Sequence, residues 1–341
     1  MSVYQTLWFF LVGVLLTVFA ILDGFDLGVG FWHLWTNKDE DRRLLFRSVG
    51  PFWDGNEVWL LTGGGALFAA FPPVYATVFS GFYMAMMLVI IALILRAVSG
   101  EFRSAEESAT WRKIWDVCFS LGSILAALLF GVALGNILRG IPMDADGNYT
   151  GTFLTLLNPY ALLIGVLGLA MLAFHGAIFI TMKASNDLEP RAHGWATRSG
   201  IVYIVLYIAA VAATIAGQKH LLENYNRLPI LWLIPIVALC FIIGAVFYLK
   251  RGRKGMAFAS SSFSIAGMMS LAGAGLFPRL VPALQKPDLS LTAWNSSSSE
   301  LTLRTMLILA LIGVPVVAAY TIWVYRIFRG KMDISLEDEH Y

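Results

Sequence analysis

The sequence predicts an all-α membrane protein that crosses the bilayer about nine times. Of its 341 residues, 58% are hydrophobic and only 13% are charged, whereas about a quarter of a soluble domain is charged. The mean hydropathy is correspondingly high, at +0.72. Apolar stretches of about 20 residues, the length that a helix needs to cross the bilayer core, recur along the whole chain. We therefore expect a single transmembrane domain over residues 1–341.

The apolar stretches give nine candidate membrane spans. The second and third are separated only by Pro72 and Pro73, and a double proline is expected to end a helix. In chain order the spans are Leu7–Trp35, Pro51–Phe71, Val74–Leu95, Ile114–Leu138, Pro159–Met182, Gly200–Gly217, Ile230–Leu249, Ala257–Phe277 and Leu303–Ile327.

The basic residues predict how these spans are oriented. If the N-terminus lies outside, the inner loops and tail hold 18 of the 24 lysines and arginines, and the outer loops hold 6. Cytoplasmic loops of membrane proteins carry such an excess. We therefore expect an outer N-terminus and a cytoplasmic C-terminus. The two cysteines, Cys118 and Cys240, lie in apolar spans and do not predict a disulfide framework.

The first two spans contain acids where acids are rare. Asp23 and Asp26 are three residues apart and therefore share one face of the first helix. A carboxylate at the centre of a membrane helix costs about 2.5–3.5 kcal/mol, so such groups usually face protein or water. Asp54 and Glu57 open the second span, where the helix dipole alone also favours negative charge.

The predicted orientation places further charged residues at the same depth. Arg96 ends the third span and Asp116 begins the fourth, both at the inner side. Arg96 could extend to the membrane interface or neutralise an acid pair. We expect Asp26 and Asp54 to be direct neighbours. Such a cluster suits either a proton conduit or a cation site, and the sequence does not choose between them.

The histidines do not predict a haem site within this chain. A pair of axial ligands needs two imidazoles that face each other, and only His175 lies deep in a span. His33 is near the inner end of the first span. For His175 we expect a satisfied polar contact rather than a haem ligand. The remaining histidines lie in loops or the tail: His193, His220 and His340.

Several motifs in the first half of the chain resemble subunit II of cytochrome bd-type quinol oxidases, including the cyanide-insensitive variants. The likeness is most specific from Asp23 to Pro72, and beyond Pro159 it is mainly one of length and helix number. The matching segments are Asp23–Gly30, Trp53–Leu60, Gly63–Pro72, Phe79–Tyr83, Trp111–Arg112, Trp115–Asp116, Gly131–Asn136 and Leu156–Pro159.

The resemblance implies a fold and a complex. It implies nine helices in two four-helix bundles, over residues 1–138 and 159–277, with a last peripheral helix and cytoplasmic tail over 303–341. A partner, subunit I, carries two haems b and haem d and the quinol site, so this chain is expected to bind no haem. The complex oxidises quinol and reduces oxygen to water with cytoplasmic protons, in a bacterial or archaeal cytoplasmic membrane.

The resemblance also implies roles for particular residues. The acids and the arginine belong to a proton route, and a structural cation is expected at Asp26, Asp54 and Tyr341. A structural quinone or lipid, a small single-helix accessory subunit and membrane lipid are further expected partners, but nucleic acid is not. Two other interpretations stay open: an ion-coupled transporter and a pure scaffold. The residues expected on the proton route are Asp54, Asp23, Asp26, Glu57, Arg96 and Asp116.

Overall fold

The computed structural model describes residues 2–185 and 187–332, and these fold almost entirely into helices. A short antiparallel pair of strands, β1 (Arg279–Val281) and β2 (Leu291–Thr292), lies in the connection before the last helix. The helices of the described chain are α1 (Val3–His33), α2 (Asp39–Val49), α3 (Trp53–Ala70), α4 (Pro72–Gly81), α5 (Tyr83–Ser104), α6 (Ala109–Arg139), α7 (Pro159–Lys183), α8 (Leu188–Gly217), α9 (Glu223–Arg227), α10 (Leu233–Lys250), α11 (Lys254–Leu276) and α12 (Glu300–Ile327).

The predicted fold class, an all-α polytopic membrane protein, is confirmed. Eight helical segments of the described chain are long and apolar enough to cross a membrane: α1, α5, α6, α7, α8, α10 with its preceding turn, α11 and α12. Helix α3 corresponds to the predicted second span, but its first turns carry Asp54, Asn56 and Glu57. The count of nine spans and the orientation of the termini stay predictions.

The third predicted span, Val74–Leu95, is wrong as one continuous helix. Helix α4 ends at Gly81, and α5 starts at Tyr83, so that Phe82 interrupts the helical path. The Phe82 ring is buried, and a Cβ atom on Gly81 would lie 2.6 Å from the Cβ atom of Tyr149. Packing against a distant loop therefore stabilises the break, which local helix propensity does not reveal.

A helix that the hydropathy pattern did not predict connects the first two spans. Helix α2 is amphipathic, with Leu44, Leu45 and Val49 buried and three acids in its first turn. Several helices also extend past their predicted spans, since α5 continues to Ser104 and α8 begins at Leu188. Helices do not have to end where the apolar stretch ends, because their polar ends lie outside the hydrocarbon core.

Helix α1 lies at the centre of the molecule and packs against α3, α6 and α7 and, less extensively, against α11 and α12. Its crossing with α7 is very close. A Cβ atom on Gly28 would lie 2.1 Å from the carbonyl oxygen of Leu172, and one on Gly176 would lie 2.3 Å from the carbonyl carbon of Gly28. Small residues allow such close packing of membrane helices.

Helix α12 lies at the periphery, where no residue of its most apolar stretch is fully buried. It contacts α1 and α3, and the indole Nε1 of Trp8 donates a hydrogen bond of 2.8 Å to the carbonyl oxygen of Leu303 at its start. Helices α6 and α7 also pack against each other along their length. The division into bundles at residues 1–138 and 159–277 stays a prediction.

Candidate functional site

The first charged group on α1 is a buried ion pair between Asp23 and Arg96 of α5. Arg96 Nη1 lies 3.0 Å from Asp23 Oδ2, and Nη2 lies 2.7 Å from Oδ1. Both side chains are almost fully buried, and Glu57 Oε2 lies 3.9 Å from the same Nη2 atom. This bidentate arrangement satisfies both oxygens of Asp23 and neutralises its charge within the membrane interior.

Asp26 has a different environment, one turn along the same helix. Asn56 Nδ2 donates to Asp26 Oδ2 over 2.8 Å and also lies 3.2 Å from the carbonyl oxygen of Leu22. The hydroxyl of Tyr325 in α12 donates to Asn56 Oδ1 over 2.9 Å. Within the described part of the chain, the buried Asp26 Oδ1 has no hydrogen-bond partner. Asp26 therefore retains a free acceptor in the membrane interior.

The predicted pairing of Asp26 with Asp54 is wrong, because Asn56 occupies that position. The Asp54 side chain is exposed, on the side of α3 that faces away from α1. Two residues of an α-helix that are two positions apart point about 200° away from each other. Because Asn56 faces α1, Asp54 must face outward. Glu57 lies between these directions and is partly exposed.

Asp116 belongs to a second charge cluster rather than to the first. Its Oδ1 lies 2.6 Å from His33 Nε2 and 2.6 Å from Arg103 Nε, and its Oδ2 lies 2.8 Å from Arg42 Nη1. His33 follows Asp26 by seven residues on α1, which is two turns or about 10 Å. The expectation of one cluster at one depth is therefore wrong: the acids form two groups, one above the other.

The second cluster attaches α2 to the end of the helical core. Arg103 also pairs with Asp39 of α2, and Arg43 Nε donates to Asp39 Oδ2 over 2.9 Å. Burial acts to raise the pKa of Asp39, but the hydrogen bond and charge of Arg103, together with Arg43, outweigh it and hold this pKa below its ordinary value. The cluster thus holds three arginines, two carboxylates and one imidazole.

His175 connects three helices through both of its ring nitrogens. Its Nε2 lies 3.1 Å from the carbonyl oxygen of Ile21 in α1, and its Nδ1 lies 2.6 Å from Ser261 Oγ in α11. Its ring stacks on Phe258, with 4.5 Å between the centroids. Because a carbonyl oxygen can only accept, Nε2 carries the proton. Both nitrogens are engaged within the chain, which leaves neither free for a metal.

The predicted cation site involves residues that the fold separates. Asp26 is buried and Asp54 is exposed on the far side of α3, and Tyr341 lies outside the described residues. Over residues 2–185 and 187–332, no group of three or more histidine, cysteine or acidic side chains is arranged to hold a metal ion. Of the two proposed ligands that lie within the described residues, Asp26 has a buried oxygen without a hydrogen-bond partner.

A cavity of about 340 Å³ lies next to the first cluster, between α1, α3 and α12. Its walls are formed largely by aliphatic side chains and by two indoles. The indole Nε1 of Trp59 is buried and has no hydrogen-bond partner in the described chain. The residues that line the cavity include Trp8, Leu11, Leu15, Leu22, Trp59, Val314 and Ile322.

The fold and the site define a class: a multi-helix membrane subunit whose central helix carries buried, charge-compensated acids. Comparisons with known proteins specify the family. The family model of cytochrome bd terminal oxidase subunit II matches residues 4–328. The chain therefore belongs to the cytochrome bd terminal oxidase subunit II family, and it is a subunit of an oxidoreductase complex of the bacterial inner membrane.

Individual relatives are similar in sequence to this chain over nearly their full lengths. The chain is 39% identical to a probable cytochrome oxidase subunit 2 of Haemophilus influenzae, over 98% of this chain and 96% of that one. It is 38% identical to the cytochrome bd-I ubiquinol oxidase subunit 2 of Escherichia coli, over 99% and 97%. It is 37% identical to the cytochrome bd ubiquinol oxidase subunit 2 of Bacillus subtilis, over 97% and 98%.

A solved structure has the same fold. It is the bd oxidase from Geobacillus thermodenitrificans, with a TM-score of 0.80 and 17% sequence identity, over 96% of this chain and 99% of the matched chain. Membership of the family implies a subunit I as the partner and haems in the complex.

Proposed function

We propose that this chain is the haem-free subunit of a quinol oxidase, that it stabilises the haem-bearing subunit I, and that its acids contribute to a proton route. In this proposal subunit I holds two haems b and haem d, and oxygen is reduced to water with protons from the cytoplasm. The relatives named as ubiquinol oxidase subunits support quinol as the electron donor. A single-helix accessory subunit stays a prediction.

The observation that carries the proton route is the charge balance of the first cluster. Arg96 is bound to both oxygens of Asp23, so the positive charge of this arginine is already compensated. In the described chain Asp26 then forms no ion pair, and Glu57 shares Arg96 with Asp23 at a longer distance of 3.9 Å. Asp26 Oδ1 also lacks a hydrogen-bond partner among the residues described. A buried carboxylate in this situation is stabilised by taking up a proton. Proton carriers in membranes are buried acids of this kind.

The exposed position of Asp54 supports a contact with subunit I. On the same face of α3, which points away from α1, Val58 is 41% exposed and Leu61 is 72% exposed. A carboxylate that faces lipid is costly, whereas one that faces protein or water in a subunit interface is not. We therefore propose that this face of α3 lies against subunit I and that Asp54 transfers protons there.

The test is Asp54→Asn in the purified complex, measured as quinol-dependent oxygen consumption and as haem content. We expect oxygen consumption to fall at least tenfold while the haem spectrum stays normal, because the amide keeps the size of the side chain and cannot carry the proton.

Asp144 provides a matched control, since it is an acid in an exposed turn, far in sequence from α3. Asp144→Asn should leave oxygen consumption unchanged. Full activity of Asp54→Asn with normal haem would contradict the proton route and favour a scaffold. Loss of haem would show that Asp54 supports assembly with subunit I instead.

A further inference from the structure

The turn between α10 and α11 concentrates positive charge. Helix α10 ends at Lys250 and α11 begins at Lys254, and only Arg251, Gly252 and Arg253 connect them. Gly252 has a φ angle of +72°, a conformation that glycine adopts without strain. This glycine allows a very short connection between the two helices. Four of five consecutive residues are therefore basic at one end of two apolar helices.

Three of these four cations have no acidic partner among the described residues. The ammonium group of Lys254 pairs with Glu189. For Lys250, Arg251 and Arg253, no carboxylate of the described chain lies within 4.0 Å. By contrast, the arginines of the two clusters on α1 are all paired. The charge of this turn is therefore not compensated by any carboxylate of residues 2–185 or 187–332.

Exposed apolar side chains lie next to the turn on both helices. Phe247, one turn before the end of α10, is 46% exposed, and Met256 in the first turn of α11 is 49% exposed. The guanidinium carbon of Arg251 lies 4.1 Å from the centroid of the Phe247 ring. This cation–π contact holds the guanidinium at the edge of an apolar surface while its N–H groups stay free to donate.

We propose that this turn binds the headgroup of an anionic phospholipid. Lys250, Arg251 and Arg253 surround the phosphate, and the planar fork of an arginine matches phosphate oxygens. Phe247 and Met256 contact the first methylene groups of the acyl chains. The exposed apolar residues on both helices favour a lipid over a soluble acidic partner, since a soluble partner has no hydrocarbon to place there.

The expected effect follows from the number of charges. Each basic residue near an anionic membrane surface contributes about 1 kcal/mol, which is about fivefold in affinity. The three unpaired cations together are therefore expected to contribute about 100-fold. Phosphatidylcholine carries a compensating ammonium group and should bind much more weakly than phosphatidylglycerol.

The experiment is native mass spectrometry of the purified complex, titrated with palmitoyl-oleoyl phosphatidylglycerol or phosphatidylcholine in mild detergent. The natural chain should bind one phosphatidylglycerol molecule in preference to phosphatidylcholine. Replacing Lys250, Arg251 and Arg253 by glutamine should weaken this binding about 100-fold. The single variant Arg251→Gln, which should weaken it about fivefold, replaces the triple variant if that one does not assemble.

The control pair is Arg112→Gln with Lys113→Gln, two basic residues at the start of α6 without a carboxylate partner within the described residues. This pair should leave the preferred phosphatidylglycerol adduct unchanged. Three results would overturn the proposal: equal binding of the two lipids, unchanged binding in the variants of the turn, or an equal loss in the control pair. None of these results depends on the proton route.

Discussion

Replacing Arg96 by glutamine is expected to destabilise the protein far more than any surface charge change. Asp23 would lose both of its charged hydrogen bonds, at 2.7 and 3.0 Å, and Glu57 would lose its 3.9 Å contact with the same guanidinium. Removing one partner of a buried ion pair costs about 3–5 kcal/mol. Two charge-assisted hydrogen bonds at about 1.5–3 kcal/mol each give a similar sum.

The assay is thermal unfolding of the purified complex, followed by intrinsic tryptophan fluorescence. At about 2.1 cal/mol/K per residue, each kcal/mol shifts the melting temperature of a chain of this length by about 1.4 °C, so we expect Arg96→Gln to lower it by about 4–7 °C. The double variant Asp23→Asn with Arg96→Gln should recover part of this loss, because no uncompensated charge then remains at position 23.

The matched control is Arg43→Gln. Arg43 also pairs with an aspartate, Asp39, but the two side chains are 51% and 44% exposed. Exposed pairs contribute less than about 1 kcal/mol, so the melting temperature should change by less than about 2 °C. If Arg96→Gln melted no lower than Arg43→Gln, the assignment of a buried, mutually dependent pair would be refuted.

Two further predictions concern the surroundings of the first cluster. His175→Leu should cost about 1–3 kcal/mol of stability, because it leaves the Ile21 carbonyl and Ser261 without their shared partner. The amide of His175→Gln can both donate and accept, so this variant should recover most of the melting temperature. Equal losses in the two variants would contradict the hydrogen-bond role. The cavity beside Trp59 should hold the hydrocarbon chain of a lipid or a quinone. Mass spectrometry of organic extracts of the complex should find this molecule and find less of it after Trp59→Phe, while extracts free of both would disprove its occupancy.

The sequence was sufficient to predict the fold class, but it left the partner of Arg96 open. The predicted orientation put Asp23 and Arg96 at similar depth, but Arg96 could equally have extended to the membrane interface. Their contact is a finding of the structure. The 3.6-residue period of α3 also contained the information that Asn56 and Asp54 point apart. The helical period alone does not say which of the two residues contacts α1, because the sequence does not show which side of α3 faces α1.

Other features depend on tertiary contacts that a single sequence does not display. The separation of Asp116 from the first cluster requires the relative positions of α1 and α6 along their axes. Tyr325 reaches Asn56 from a helix 269 residues away in the chain, and the apolar stretch around Tyr325 gave no sign of it. The sequence places Leu44, Leu45 and Val49 at a spacing that is compatible with one face of a helix. Because the segment carries many charged residues, its hydropathy predicted a loop instead.

The separation of Asp23 and Arg96 along the chain has a consequence for biosynthesis. The two residues are 73 positions apart, and ribosomes add about 5–20 residues per second. Roughly 4–15 s therefore pass between the synthesis of Asp23 and the synthesis of Arg96, which neutralises its charge. During this time the carboxylate of Asp23 has no arginine of its own chain to pair with, and an unpaired carboxylate at the bilayer centre costs about 2.5–3.5 kcal/mol. Until α5 has been inserted, the carboxylate of Asp23 must be protonated or lie in contact with water or the insertion machinery.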